Sequence, residues 1–362
     1  LVVVVVLAGV GLLTFALPAS TTPTLQRVTL PAGTVAPSHG VGAVSCAADG
    51  DCLDVLTGGL VLASHDGGAS WIQSTTEFKA TPLSTAPEMQ SCNARDCELL
   101  QPNLGAAYAT DGRGHFLATA RVPMSDSQQW VGISCTASGD FCLALAANPD
   151  GTGTLLQSYA SFDGVYGFYR EGALPLPASL LQGGLFGSRI QISCTGRGTC
   201  VVGDTVNLGV FRTTNGGASW VYIAHGSDTN GASSNGITSL SCWSTLDCLV
   251  GAMNGLYETT NGFTSWHRVT LGVGKKDLLF GDSWCTSDGR CSAIGLAHWP
   301  KTAAETTRVY SFDFATKTVA SVKIPSPYFA TSVTCTSFEH CAVVGVKFQR
   351  SRIRAEAAFR MS

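Results

Sequence analysis

Charge is scarce in this chain: only 13% of its 362 residues are Asp, Glu, Lys or Arg, and the formal net charge is −3. A surface this close to neutral has no long-range field to gather phosphates, and no basic run interleaved with aromatics occurs, so nucleic acid is excluded as a partner. The seven histidines, at 39, 65, 115, 225, 267, 298 and 340, lack metal-ligand spacing. No metal site is expected from them. Missing too is a glycine loop between a strand and a helix that could cradle phosphate, so no cofactor is expected. Nor is there a Cys-x-x-Cys, the usual redox-catalytic word.

What the chain does have is 41 glycines, 14 prolines and 45% hydrophobic residues, a composition that suits many short strands joined by tight turns. The class is all-β, and all-β barrels and propellers of this length commonly form one domain. Residues 1–20 stand apart. Leu1 to Ala19 carries no charge and opens on a run of valines, which fits a signal-peptide core or a membrane anchor whose upstream end is missing. Cleavage after Ala19 and retention are both open, because Leu17 is larger than the residue expected three positions before a cleavage site. If uncleaved, residues 1–19 make the membrane a partner.

Fourteen cysteines fall in seven pairs: Cys46 and Cys52, Cys92 and Cys97, Cys135 and Cys142, Cys194 and Cys200, Cys242 and Cys248, Cys285 and Cys291, and Cys335 and Cys341. Ser precedes the first cysteine in five pairs, at Ser45, Ser91, Ser134, Ser193 and Ser241, with Trp284 and Thr334 as variants. A repeat of roughly 40–60 residues built on short strands is the signature of a propeller with about four strands per blade. An even cysteine count behind an export segment points to disulfides in an oxidising, extracytoplasmic compartment. The repeat chooses the connectivity, since a bridge within each pair uses one geometry throughout. Each bridge closes a very short loop and is expected to stabilise by about 2 kcal/mol before strain.

Blade five reads as strands at Ile237–Cys242 (a), Cys248–Ala252 (b), Leu256–Thr260 (c) and Ser265–Leu271 (d). Along the chain there are seven a-b-c triplets, with the d strands offset by one. A d-like strand at Thr24–Leu30 precedes the first triplet, and Thr334–Ser362 ends on strand c. Residues 24–362 are therefore expected to form a seven-bladed propeller whose N-terminal strand completes the C-terminal blade, removing free edges at the seam.

A second word recurs at Ser64-His65-Asp66-Gly67-Gly68-Ala69-Ser70-Trp71, Thr213-Thr214-Asn215-Gly216-Gly217-Ala218-Ser219-Trp220 and Thr259-Thr260-Asn261-Gly262-Phe263-Thr264-Ser265-Trp266. Degenerate copies join Asp111 to Phe116 and Asp163 to Phe168, and Ser311-Phe312-Asp313 keeps the first half. These words resemble the Asp-box, or bacterial neuraminidase repeat, of sialidase-like propellers, a group that includes xyloglucan-cleaving glycosidases, sortilin-type receptors and photosystem II assembly-factor-like propellers. The resemblance implies a structural role: Asp66, Asn215 and Asn261 accept backbone N–H bonds, glycine permits positive φ, and Trp71, Trp220 and Trp266 pack into the blade. It also implies that the boxes lie on the rim opposite the ligand face, leaving the d-to-a and b-to-c loops for function.

The sialidase catalytic set is absent. The nearest match to its Arg-Ile-Pro word is Lys323-Ile324-Pro325, late in the chain, and Lys does not reproduce the bidentate fork of Arg. A glycosidase needs two facing carboxylates, and Glu88, Asp126, Asp228, Asp277, Asp282 and Glu305 offer no pair that stands out from solvated surface acids. The d-to-a connections, Pro31–Ala43, Ser74–Gln90, Pro175–Arg189, Ala224–Gly236 and Gly272–Ser283, are the longest and least alike, and such loops carry specificity. On them and their surroundings Trp130, Arg189, Lys275, Lys276, Asp277, Trp299 and Tyr328 are the candidate contacts, as aromatic side chains beside Arg or Lys suit protein or glycan surfaces. Packing of Trp130 and Trp299 between blades is the competing explanation. The sequence thus points to a non-enzymatic binding or scaffold propeller for a protein or glycan of the cell envelope. A carbohydrate-active hydrolase or lyase using carboxylates in the central cleft is the alternative.

Overall fold

The computed structural model describes residues 23–31, 43–47, 49–56, 60–74, 89–93, 97–101, 106–110, 116–121, 129–147, 155–162, 168–177, 190–204, 208–224, 236–252, 255–271, 278–297, 307–337, 340–349 and 352–361. Their strands form four-stranded antiparallel sheets, seven in number. Blade one is Ala43–Cys46, Cys52–Leu56, Leu60–Ser64 and Ile72–Gln73; blade two is Met89–Cys92, Cys97–Gln101, Ala106–Thr110 and Phe116–Arg121. Blade three is Gln129–Cys135, Phe141–Ala147, Leu155–Phe162 and Tyr169–Pro177; blade four is Ile192–Gly196, Thr199–Gly203, Gly209–Thr213 and Val221–Ala224. Blade five is Ile237–Cys242, Cys248–Ala252, Gly255–Thr259 and His267–Arg268; blade six is Leu278–Cys285, Arg290–Ala297, Thr307–Asp313 and Thr318–Lys323. Blade seven takes Tyr328–Ser337, His340–Gln349 and Arg352–Met361 from the C-terminal end, and its outer strand is Leu25–Val28, paired with Arg352–Met361 from Leu25↔Met361 to Val28↔Ala358.

The first strand of each blade packs against the first strand of the next, and that of blade seven packs against Ala43–Cys46 of blade one. The arrangement is a β-propeller. The apolar residues 1–20 lie outside the described residues, and among those described no helix is long and apolar enough to cross a membrane. The outer strand of blade five is shorter than its sequence suggests: the expected Ser265–Leu271 pairs only at His267 and Arg268. Both side chains are exposed there, so the edge gains little by lengthening the ladder.

All seven cysteine pairs are disulfides within a blade, joining residues directly opposite on strands a and b with Cα atoms 3.9–4.1 Å apart. Their number fits an oxidising, extracytoplasmic environment.

The Ser-Cys word has a second purpose. The N–H of the first cysteine points away from strand b, where no ladder satisfies it, and an unmet buried N–H is costly. The preceding blade supplies the acceptor: Ser45 Oγ for Cys92 (2.9 Å), Ser91 for Cys135 (2.9 Å), Ser134 for Cys194 (3.0 Å) and Ser193 for Cys242 (2.9 Å). At the junction of blades seven and one, Thr334 Oγ1 does the same for Cys46 (3.1 Å). Every such bond crosses a blade boundary, so the word binds the ring as well as closing a hairpin.

The turns at Asp66, Asn215 and Asn261 sit on the same rim as the disulfides. Gly67, Gly216 and Gly262 donate N–H bonds to the a-to-b turns at Gly50, Gly198 and Leu246 (2.9, 2.9 and 2.8 Å). The turns also lean on the preceding blade: a Cβ on Gly68 would stand 2.7 Å from that of Ala342 in blade seven, and φ there is +85°. Within the first turn, Asp66 accepts the Ser70 N–H (2.8 Å) and hydroxyl (2.7 Å), and Trp71 Nε1 donates to Gly68 O (3.2 Å). Burial alone would raise the Asp66 pKa, but the bonds from Ser70 and Ser64 outweigh it and hold the carboxyl below its ordinary 3.8. A depressed folded pKa stabilises above the unfolded value, and that stability is lost as pH falls through the folded one. Replacing Asp66 by Asn, the residue the other two turns use, should leave the melting temperature at pH 7 within a few degrees of wild type. It should also flatten part of the fall in melting temperature between neutral pH and pH 3. An unaltered acid profile would show that the Asp66 bonds contribute nothing.

Candidate functional site

Chain direction puts the d-to-a and b-to-c connections on the rim opposite the disulfides. Most of these loops, with Arg189, Lys275, Lys276, Asp277 and Trp299, lie outside the described residues, as do Glu88, Asp126, Asp228 and Glu305. The connection Ile324–Pro327 from blade six to blade seven is described, and it leads directly into Tyr328. Tyr328 is half-buried; its ring meets Phe359 edge-on (5.6 Å) and is capped by the guanidinium of exposed Arg27, 4.9 Å from the ring centroid. Arg27 comes from the N-terminal strand and Tyr328 from the first strand of the C-terminal blade, so the two ends of the chain meet in this pair. Strand pairing alone brings them together, and no local pattern around Arg27 marks it. A cation over an aromatic ring is suited to contact with acidic or aromatic groups of a ligand.

Trp130 is not on this surface. It is 1% exposed, set against Tyr159 (5.3 Å, edge-on) and Phe168 (6.0 Å) in the core of blade three. The cause is a β-bulge between Trp130 and Gly132, which turns the side chain to the other face of the strand. Trp130 stands five residues before the first cysteine of its pair. Ile237, Phe280 and Ala330 hold the same place in blades five, six and seven, each beside a bulge, and each is buried. That offset from the cysteine was the signal available in the sequence.

Asp282, one of the candidate surface acids, is a brace between blades. Its Oδ2 accepts the Ser332 hydroxyl (2.7 Å) and the Val333 N–H (2.9 Å) of blade seven, while Oδ1 accepts the Ser283 N–H (2.9 Å). Ser332 Oγ in turn receives the Val44 N–H of blade one (3.3 Å), so a polar chain from Asp282 runs through three blades across the seam. Ser239 Oγ, at the corresponding place in blade five, is buried with no hydrogen-bond partner. Asp282→Ala would leave the Val333 N–H without its acceptor, at a cost of about 2–3 kcal/mol. Asp282→Asn, which keeps one carbonyl oxygen, should cost less. Denaturant unfolding of the two variants measures the difference, and equal stability of Asp282→Ala and wild type would remove the brace.

Three other acids, Asp54, Glu98 and Asp204, are at most 7% exposed, and Asp204 Oδ2 accepts the Tyr222 hydroxyl (3.3 Å). Among the described residues no group of three His, Cys, Asp or Glu side chains could hold a metal ion.

No family model matches the chain, and no curated protein matches it in sequence. Solved structures share its fold. A structure of YCF48 bound to a D1 peptide superposes with a TM-score of 0.58 at 10% identity, covering 94% of this chain and 96% of that one. The GH74 xyloglucanase from Xanthomonas campestris gives 0.51 at 10% identity over 84% of this chain and 51% of its own, so this chain spans about half of that enzyme. The GH74 enzyme of Niastella koreensis is covered over 39% of its length by 69% of this chain, at 13% identity and a TM-score of 0.49. At such identities the likeness is one of fold.

Proposed function

We propose that this chain is a non-enzymatic binding or scaffold propeller working outside the cytoplasm, secreted or anchored to the outer face of the membrane. Its ligand is a protein or glycan of the cell envelope, held on the face made by the d-to-a and b-to-c loops. The observation that carries this reading is how the acids are used. Asp66, Asp140 and Asp288 bond to the Ser and Thr hydroxyls of their own turns. Asp282, the candidate catalytic acid that the described residues include, has both oxygens committed to blade contacts. A carboxylate fixed as an acceptor in this way is poorly placed to transfer a proton.

The likeness to YCF48, whose structure holds a peptide, supports protein over glycan as the ligand class. The hydrolase alternative draws on the GH74 likeness, and it would need a carboxylate pair from the loops. The proposed contact takes in Tyr328, with Arg27 over its ring, and Arg189, Lys275, Lys276, Asp277 and Trp299. In a pull-down of the full chain against cell-envelope proteins and a glycan array, Arg27→Ala and Tyr328→Ala should each weaken capture about tenfold, as hot-spot truncations do. The melting temperature should hold to within a few degrees. Capture unchanged in both variants would move the site elsewhere, and release of cleaved glycan would establish the hydrolase.

A further inference from the structure

Two independent features of the described residues converge on the rim that carries the disulfides. The first is topological. The outer strand of blade seven begins at Leu25, opposite Met361, the last residue of the strand beside it. Strand c ends on the c-to-d rim, so the chain N-terminal to Leu25 leaves from the side of the disulfide and Asp66 turns, away from the loop face. Residues 20–24 separate this point from the apolar segment, and five residues reach at most about 17 Å.

The second is the placement of exposed apolar side chains. Among the described residues the large ones are Ile72, Tyr169, Val221, Tyr222, Leu246 and Val319. Tyr222 reaches towards the opposite rim, its hydroxyl on Asp204. Leu246 is in the a-to-b turn of blade five, and Ile72, Tyr169, Val221 and Val319 lie in the first two residues of outer strands, next to the c-to-d turns of blades one, three, four and six. These five form a broken circle around one rim. Among the described residues the exposed charges on that rim are of both signs, with Arg197, Arg290 and Lys317 beside Asp49, Asp66 and Asp288, which gives no electrostatic preference there for anionic lipid.

We infer that this rim rests on the interface of a zwitterionic bilayer, held there by the apolar N-terminal segment and seated by the circle of apolar side chains. The loop face then points away from the membrane. The inference rests on the anchored form of the reading above and adds an orientation to it. Aliphatic and aromatic side chains at headgroup depth gain burial without requiring the blades to enter the hydrocarbon. The ten-residue strands of blade seven span about 33 Å, so a ligand on the loops would be met at about that height above the rim.

The test uses the full chain in phosphatidylcholine vesicles containing a headgroup nitroxide, with a genetically encoded fluorophore at Thr264 on the rim or at Ser326 on the opposite connection. Quenching at 264 should exceed that at 326 by about fivefold or more. In a background of Ile72→Ser, Val221→Ser, Leu246→Ser and Val319→Ser, the chain should stay on the vesicles while quenching at 264 falls at least twofold. Equal quenching at the two positions, or more at 326, would overturn the orientation with the anchor intact. Unchanged quenching in the serine background would overturn the apolar seating. Failure of the chain to remain with vesicles would instead refute the anchored reading itself. A severalfold rise in quenching when phosphatidylserine is added would replace seating on a neutral interface by electrostatic docking.

Discussion

Full reduction of the native chain should lower its melting temperature by at least about 10 °C and make unfolding begin near ambient temperature. Seven bridges each close a loop between residues only five to seven apart. Chain entropy assigns each about 2 kcal/mol. Even half of that from each bridge would rival the 5–15 kcal/mol by which folded domains typically exceed their unfolded states. The loss should be shared around the ring, because every hairpin is stapled in the same way. Thermal unfolding with and without reductant, with alkylation to confirm that all fourteen thiols have been released, measures it. A fully alkylated chain that melts where the oxidised one does would show that packing and the Ser-to-Cys bonds between blades suffice alone.

Trp130→Ala should be the most damaging single truncation in blade three, at about 3–5 kcal/mol, the usual range for emptying a large aromatic site. The ring is enclosed by Tyr159 and Phe168, and the cavity cannot collapse without moving the bulged strand. Trp130→Phe should be much milder, since the indole N–H has no hydrogen-bond partner to lose. Denaturant unfolding separates the two substitutions. A Trp130→Ala variant as stable as wild type but unable to bind ligand would return this residue to the binding surface.

The cysteine words show where sequence carries most about this fold. Their spacing marks each a-to-b hairpin, and all fourteen cysteines meet as opposite pairs on adjacent strands. The Asp66, Asn215 and Asn261 words likewise mark c-to-d turns, because hydrogen-bonding side chains and glycine at fixed offsets act locally. Even the half-word at Asp313 forms its turn, with Oδ1 accepting the N–H groups of Ala315 and Thr316 (both 3.0 Å).

What depends on tertiary contact was less legible. Ser45 and its counterparts are recognisable as a repeat, but their bond to the next blade appears only when blades stand side by side. Trp130 resembles a surface aromatic until the bulge sets its direction. Asp282 resembles a solvated acid until Ser332 and Val333 arrive from another blade, and Arg27 gains meaning only when the N-terminal strand joins the C-terminal blade.

The central claim is that the loop face binds without cleaving. Its most direct test is incubation of the full chain with cell-envelope proteins and glycans, in which captured mass, released products and the effect of Tyr328→Ala are followed together. Binding predicts stable capture that Tyr328→Ala weakens, with the ligand recovered intact. Shortened glycan in solution, produced equally by wild type and Tyr328→Ala, would contradict it.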